Sequence, residues 1–257
     1  MRNALAIAHK ELRSYFASPI GYVVLGAWAL MFAWFYINIL YVFVRQSMQM
    51  NQFGMSGPQA MNVNQQLIRP LLQNVSILIL FTLPMITMRT YSEEKRSGTM
   101  ELLVTSPVTD VQIIMGKFLG AMGLYGVMLL VTTLHIGVLY VFGRPAWREI
   151  VVAYAGLLLM GGAFVSVGMF ISSLTSNQIV AAVVTFFVFL FLWVINWIGA
   201  FSDPIVNTIV NYLSIVEQWD DFGKGVIDTQ HVIYYLCFIT FGLFLTAKSV
   251  DSERWRG

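Results

Sequence analysis

Glu93, Glu94, Lys95, Arg96 and Glu101 fall within eleven residues of the stretch YSEEKRSGTMELLVTSPV (91–108), in a chain with only 15 basic and 13 acidic residues. No catalytic motif stands beside them. No Gly-x-x-x-x-Gly-Lys-Ser/Thr loop occurs, so the chain has no such cradle for a nucleoside triphosphate. No His-Glu-x-x-His pair is present to hold zinc. Ser166 lies in AFVSVG, with Phe164 where a nucleophile elbow needs glycine. Cys237 is the single cysteine and reads as a buried, inert thiol. Met48, Met50, Met55 and Met61 carry soft thioethers that suit Cu(I). Without His or Cys beside them, residues 45–70 read instead as an uncharged outer loop suited to an accessory subunit. The charged stretch is left with two readings, a loop that sets membrane topology and a docking element.

The elements that must position it are apolar. Hydrophobic residues make up 58% of the 257 and charged residues 11%, against about a quarter charged in a soluble domain. Apolar runs predict six membrane-spanning helices at 21–44, 71–88, 118–142, 150–174, 179–198 and 232–248, with Pro84 as a kink. The first run is too long for a signal-peptide core and reads as a retained span. An even number of spans puts both termini on one side. That side, with the 89–117 loop, carries Arg2, Lys10, Arg13, Arg89, Lys95, Arg96, Lys117, Lys248, Arg254 and Arg256; the other carries Arg45, Arg69, Arg144, Arg148 and Lys224. Positive residues favour the cytoplasm, so both termini and the charged stretch are expected there. A net charge of +2 with no basic run gives no sign of nucleic-acid binding.

Residues 1–17 have helical periodicity. Leu5, Ala8, Leu12, Tyr15 and Phe16 share one face opposite Lys10, Arg13 and Ser14, with Ile7 out of place, which predicts an interfacial helix lying in the membrane surface. The span interiors hold no Asp, Glu, Lys or Arg, against the habit of gradient-driven carriers. His135 reads as hydrogen-bonded structure, while Asn38, Gln73, Asn74 and Asn196 could bond across helices or line a path. Gly116, Gly120 and Gly123 in span three, and Gly161, Gly162, Ser166, Gly168 and Ser172 in span four, are small residues that let helix backbones approach, within the chain or between copies.

Within the 89–117 loop, Tyr91–Arg96 favours a short helix with acids first and bases after. Ser97-Gly98 breaks it. Thr99 can cap a second short helix bearing Met100, Leu102, Leu103 and Val104, which Ser106-Pro107 ends. Thr109-Asp110-Val111-Gln112 has capping-box spacing ahead of span three.

EEKRSGTMELLVTSPV together with GKFLG (116–120) resembles the ABC-2 class of transporter permeases, and more narrowly the permease subunits associated with bacterial gliding motility. ELRSYFASPIGYVV (11–24) and LSIVEQWDDFGKGVID (213–228) resemble the same subfamily, so the likeness covers essentially the whole chain. It implies an all-α, six-span exporter fold forming one transmembrane domain over 1–257, multi-pass in a bacterial inner membrane. The 91–106 region would be a coupling helix seated on a cytoplasmic ABC ATPase. Glu93, Glu94, Lys95, Arg96, Ser97, Gly98, Thr99, Met100, Glu101, Leu102 and Leu103 would form that contact, the charges setting orientation and the leucines anchoring it. Residues 199–230 would be outer re-entrant or surface helices, with Ile205, Ile209, Leu213, Val216 and Trp219 apolar and Glu217, Asp220 and Asp221 at an exposed end. The subfamily often carries His or an aromatic residue before the acidic pair; this chain has Gln218-Trp219. No cofactor is expected in the chain itself, with ATP and Mg²⁺ bound by the partner ATPase. A second permease copy or a sister permease would complete a twelve-span unit. The implied activity is export of a lipid-like, polysaccharide or other amphiphilic cargo, or mechanical action on extracytoplasmic partners. A non-transporting scaffold and a gradient-driven carrier are the readings from other classes.

Overall fold

The structure is a computed structural model that describes residues 2–52, 62–100, 108–143, 145–199 and 203–254. Helix α1 (Arg2–Ala17) leads into α2 (Pro19–Gln52), whose start is set by Ser18 and by proline at the first helical position. A π-helical turn (Asn64–Ile68), α3 (Arg69–Gln73) and α4 (Val75–Thr87) return across the apolar layer, with Pro84 inside α4. Then follow α5 (Ser92–Ser97), α6 (Asp110–Phe142), α7 (Trp147–Leu174), α8 (Gln178–Gly199) and α9 (Pro204–Leu213). A 3₁₀ turn (Glu217–Trp219), α10 (Asp220–Gly223) and α11 (Thr229–Arg254) complete the chain. The described residues form no strand. Among the described residues, six helical segments are long and apolar enough to cross a membrane, so the protein is an all-α, multi-pass membrane protein.

The helices outrun the apolar runs. At about 1.5 Å per residue, the 33 residues of α6 reach about 50 Å, well beyond a hydrocarbon core of about 30 Å. Its first turns, from Asp110, are an extension that hydropathy alone does not mark. The Met- and Gln-rich residues 45–52, read from sequence as loop, continue α2 because both types are good helix formers.

Helix α7 is the centre of the bundle, and its glycines are the reason. A side chain at Gly161 would overlap the Tyr125 ring on α6, and one at Gly168 would overlap Thr87 on α4. A β-carbon at Gly162 would stand 2.9 Å from Ile239 Cδ1 on α11, and Ser166 fills the space beside Gly242 of the same helix. Three neighbours therefore pack directly on the α7 backbone. The core around it includes Trp28, Phe32, Leu71, Leu83, Tyr125, Phe164 and Phe189.

Several polar residues within the bundle turn inward on their own helices. Asn38 Nδ2 donates to the Trp34 carbonyl (2.8 Å) and Asn74 Nδ2 to that of Pro70 (2.8 Å), rather than across helices, while Gln73 is exposed. The side chain of Asn196 lies outside the described residues. His135 stands edge-on to Phe32 and Tyr36, at 5.3 and 5.5 Å. Cys237 is exposed, contrary to the buried thiol expected from sequence. It lies beside Leu236 on the outer surface of α11, and Tyr235 and Ile239 occupy the face turned to the bundle. Apolarity has the same sign for a core and for lipid, so composition could not separate the two.

Candidate functional site

The charged stretch folds into α5, a helix of six residues with Glu93 and Glu94 in its first turn and Lys95 and Arg96 in its last, matching the helix dipole. Gly98 ends it at φ 69°, a left-handed conformation that glycine adopts without steric cost, and its N–H donates to the Glu94 carbonyl. Thr99 is non-helical and Met100 is buried. Glu101, Leu102 and Leu103 lie outside the described residues, as do Val104 and Ser106-Pro107. The expected Thr109 capping box does not form, because the Thr109 side chain makes no capping bond and Gln112 Oε1 instead accepts from Asn3 Nδ2 on α1.

The structure divides the predicted contact residues into two sets. Glu94 and Lys95 point into the protein. Glu94 pairs at 2.8 Å with Lys117 of α6, which also pairs at 2.9 Å with Glu11 of α1. The Lys117 side chain is 1% exposed, and its ammonium lies 5.2 Å from the Tyr91 ring centre, a cation–π contact away from water. One buried ammonium thus ties three elements together. Lys95 pairs at 2.9 Å with Glu253 near the end of α11. Glu93, Arg96, Ser97, Gly98 and Thr99 are exposed instead, with Glu93 bonded to Arg89 at 3.0 Å.

Ser172 fixes the base of α5. Fully buried on α7, it accepts the backbone N–H groups of Tyr91 and Ser92 (both 3.1 Å) and donates to the Met88 carbonyl (3.0 Å). These are the donors a helix start leaves unsatisfied. The sequence marks Ser172 only as a small packing residue and does not point to Lys117, Glu11, Tyr91 or Glu253 as part of the site. Glu11 falls on the inward stripe of α1.

That stripe differs from the expected one. Ala4, Ile7, Ala8, Glu11, Leu12 and Tyr15 face inward, while Leu5 is 63% exposed. Ile7 belongs to the packed face because α1 lies against α6, not on lipid alone. A β-carbon at Gly116 would stand 2.6 Å from Ile7 Cβ, and one at Gly120 would stand 2.6 Å from Glu11 Cβ. Gly123 meets Leu12 at contact distance. The contacts advance together along both helices, so α1 runs parallel to the first turns of α6. Tyr15 completes the seat by donating to the Ile86 carbonyl (3.1 Å). Gly116→Leu is expected to unseat α1, costing about 1–3 kcal/mol as an overpacked contact. Faster proteolytic cleavage within residues 1–17 of the purified protein would show it; wild-type protection would not agree.

The far end of α7 carries a second polar cluster. Trp219, 1% exposed, donates from Nε1 to the Ala153 carbonyl (3.1 Å) and lies with Phe222 against Gly156. Asp220 bonds to Arg69 and, at 2.7 Å, to Lys224; Lys224 also reaches Asp221 at 2.8 Å. The Asp220–Asp221 pair is therefore a half-buried ion-pair network, not the freely exposed end expected from sequence. Lys224 and His231 hold the Asp221 carboxyl below its usual range. Ile205, Ile209 and Leu213 on α9 are exposed. Tyr234 and Tyr235 of α11 anchor the end of α9 by donating to the Leu213 (2.8 Å) and Ile215 (2.7 Å) carbonyls. Ala153 and Ser172 are about 28 Å apart along α7, so one helix joins the α5 cluster to the opposite face.

A comparison with curated proteins gives no match. The family model described as ABC-2 family transporter protein matches residues 43–216, from the second half of α2 to the residue before the 3₁₀ turn. That span is well over half of the chain and includes α5, Lys117 and all of α7, and the protein belongs to the ABC-2 transporter family, as a transmembrane permease of an ABC transporter.

Proposed function

We propose that this chain is the permease of an exporter in which α5 couples a separate cytoplasmic ATPase to the bundle. Permeases of this family are typically the non-catalytic membrane component and work with an ATPase. The observation that carries the reading is the division of α5. Its Glu94, Lys95 and first backbone N–H groups are engaged inside the protein, while Glu93, Arg96, Ser97 and Thr99 face out. Such an element can receive a push at one surface and pass it to α1, α6, α7 and α11 together.

In this reading both termini and α5 are cytoplasmic, in a bacterial inner membrane, and ATP with Mg²⁺ sits in the partner. A second copy or a sister permease completes the transport unit, and an accessory subunit meets the outer loop after α2. The cargo is lipid-like, a polysaccharide or otherwise amphiphilic, which fits span interiors without charge. The same α7 lever also suits mechanical work on an extracytoplasmic machine, as the resemblance to gliding-motility permeases implies.

The test is co-purification. From gently solubilised membranes, the tagged chain is expected to bring down a protein with a nucleotide-binding loop. Exchanging the exposed charges, Glu93→Lys with Arg96→Glu, is expected to reduce that recovery several-fold; Arg96→Glu alone, which leaves the Arg89–Glu93 pair intact, is expected to reduce it while thermal stability stays within about 0.5 kcal/mol of wild type. Recovery of the chain alone under several mild detergents would overturn the coupling role. Unchanged recovery in the double variant would move the contact elsewhere.

A further inference from the structure

Helix α1 is packed on one side only, and the way it packs leaves the other side charged. Its inward stripe sits on the glycines of α6, and its single acid, Glu11, is drawn inward to Lys117. Arg2, Lys10 and Arg13 are exposed on the outer side, and among the described residues none of them forms an ion pair. At about 100° per residue, Arg2 and Arg13 lie about 20° apart around the helix, with Lys10 about 60° beyond Arg13. The three make one basic stripe, and the one carboxylate that could neutralise it is buried against α6.

Beside the stripe runs an apolar flank. Leu5 is exposed, Leu12 and Phe16 are half-buried, and the three fall within about 40° of one another. Phe16 stands edge-on to Tyr22 of α2 (5.9 Å), and Tyr22 and Val23 are exposed at the start of the first candidate span. The flank is therefore continuous with the apolar surface that enters the bilayer. Only Ser18 separates the two helices, and α2 closes so tightly on the end of α1 that a β-carbon at Gly21 would stand 2.3 Å from the Tyr15 carbonyl oxygen. This turn, with the seat on α6, holds α1 at the membrane boundary.

An apolar row bordered by cations, with no acid, is the chemistry of a helix that lies on an anionic membrane surface. A soluble partner could match the cations, but a flank that runs on into a span faces hydrocarbon. We propose that the outer face of α1 binds the phosphate groups of anionic phospholipids. Leu5 and Phe16 sit at the boundary between headgroups and acyl chains, and Arg2, Lys10 and Arg13 meet the headgroups. Lipid held there lies one helix away from Lys117, and through that ammonium it bears on α5.

The test uses the full-length protein in neutral detergent, with affinity for mixed micelles containing either phosphatidylglycerol or phosphatidylcholine measured by thermophoresis. Phosphatidylglycerol is expected to bind about tenfold more tightly at low salt, and the preference to collapse by about 0.5 M salt. Lys10→Gln with Arg13→Gln is expected to weaken phosphatidylglycerol binding at least about fivefold and to leave phosphatidylcholine binding unchanged. Both residues are exposed, so the variant is expected to unfold at the wild-type temperature in phosphatidylcholine micelles. Arg2→Gln, at the other end of the helix, is expected to give a loss of about two- to fivefold. Equal affinity of the wild type for the two lipids, or a preference that both variants retain in full, would overturn the site. So would a double variant that keeps its lipid preference but no longer recovers the ATPase, since the face would then belong to the soluble partner.

Discussion

Lys117→Met is expected to destabilise the protein by about 3–5 kcal/mol, the typical cost of removing one partner of a buried ion pair. The side chains left behind, Glu11 and Glu94, are only 17% and 16% exposed, so two carboxylates lose their counter-charge in a site poor in water. Their repulsion acts on the contact between α1 and α5. A triple variant, Glu11→Gln, Glu94→Gln and Lys117→Met, is expected to recover most of that stability, because a neutral set of similar volume no longer carries buried unpaired charge. Thermal unfolding of the detergent-purified protein measures both. If the node serves coupling, the triple variant is stable yet responds poorly to the ATPase: nucleotide hydrolysis proceeds without matching movement in the bundle. A stable and fully coupled triple variant would assign the node to folding alone. A Lys117→Met protein as stable as wild type would show that the carboxylates reach water or protonate at low cost.

Trp219→Ala is expected to cost about 3–5 kcal/mol, as for other buried aromatic truncations. The indole is 1% exposed, lies against Gly156 and Gly223, and supplies the N–H accepted by the Ala153 carbonyl. Its loss opens a cavity beneath α10 and releases Asp220 from its station beside Arg69. The effect is confined to one end of α7. ATPase recovery through α5 is expected to survive under conditions where the protein remains folded, while transport or extracytoplasmic action falls. Trp219→Phe should keep part of the packing without the hydrogen bond and lie between. Loss of ATPase recovery in a folded Trp219→Ala protein would contradict independent docking at α5. Equal stability of wild type and Trp219→Ala would contradict the packing itself.

The two variants probe opposite ends of one helix, and α7 shows why sequence could point to the helix but not to its role. The glycines and serines of 161–172 announce close approach, and each meets a neighbour or the start of α5. Which neighbour is a matter of rotation: consecutive positions on a helix face directions about 100° apart. Gly161 therefore meets α6 and Gly162 meets α11, a distinction absent from a count of small residues.

What the sequence determined by itself was everything that follows from local chemistry. Runs of apolar residues long enough for a bilayer made six spanning helices, because an unpaired backbone in lipid is too costly for any open alternative. The order of charges in SEEKR and the left-handed tolerance of Gly98 made a short helix that stops where it does. Tertiary structure alone decided which charges face outward and which serve the fold. Glu11, Glu94 and Lys117 are far apart in the chain and carry no mark of their meeting. The same holds for Gln218, Asp221 and His231 at the opposite face. A buried ion pair forms only where packing has already excluded water, and that exclusion belongs to the assembled bundle rather than to any segment of it.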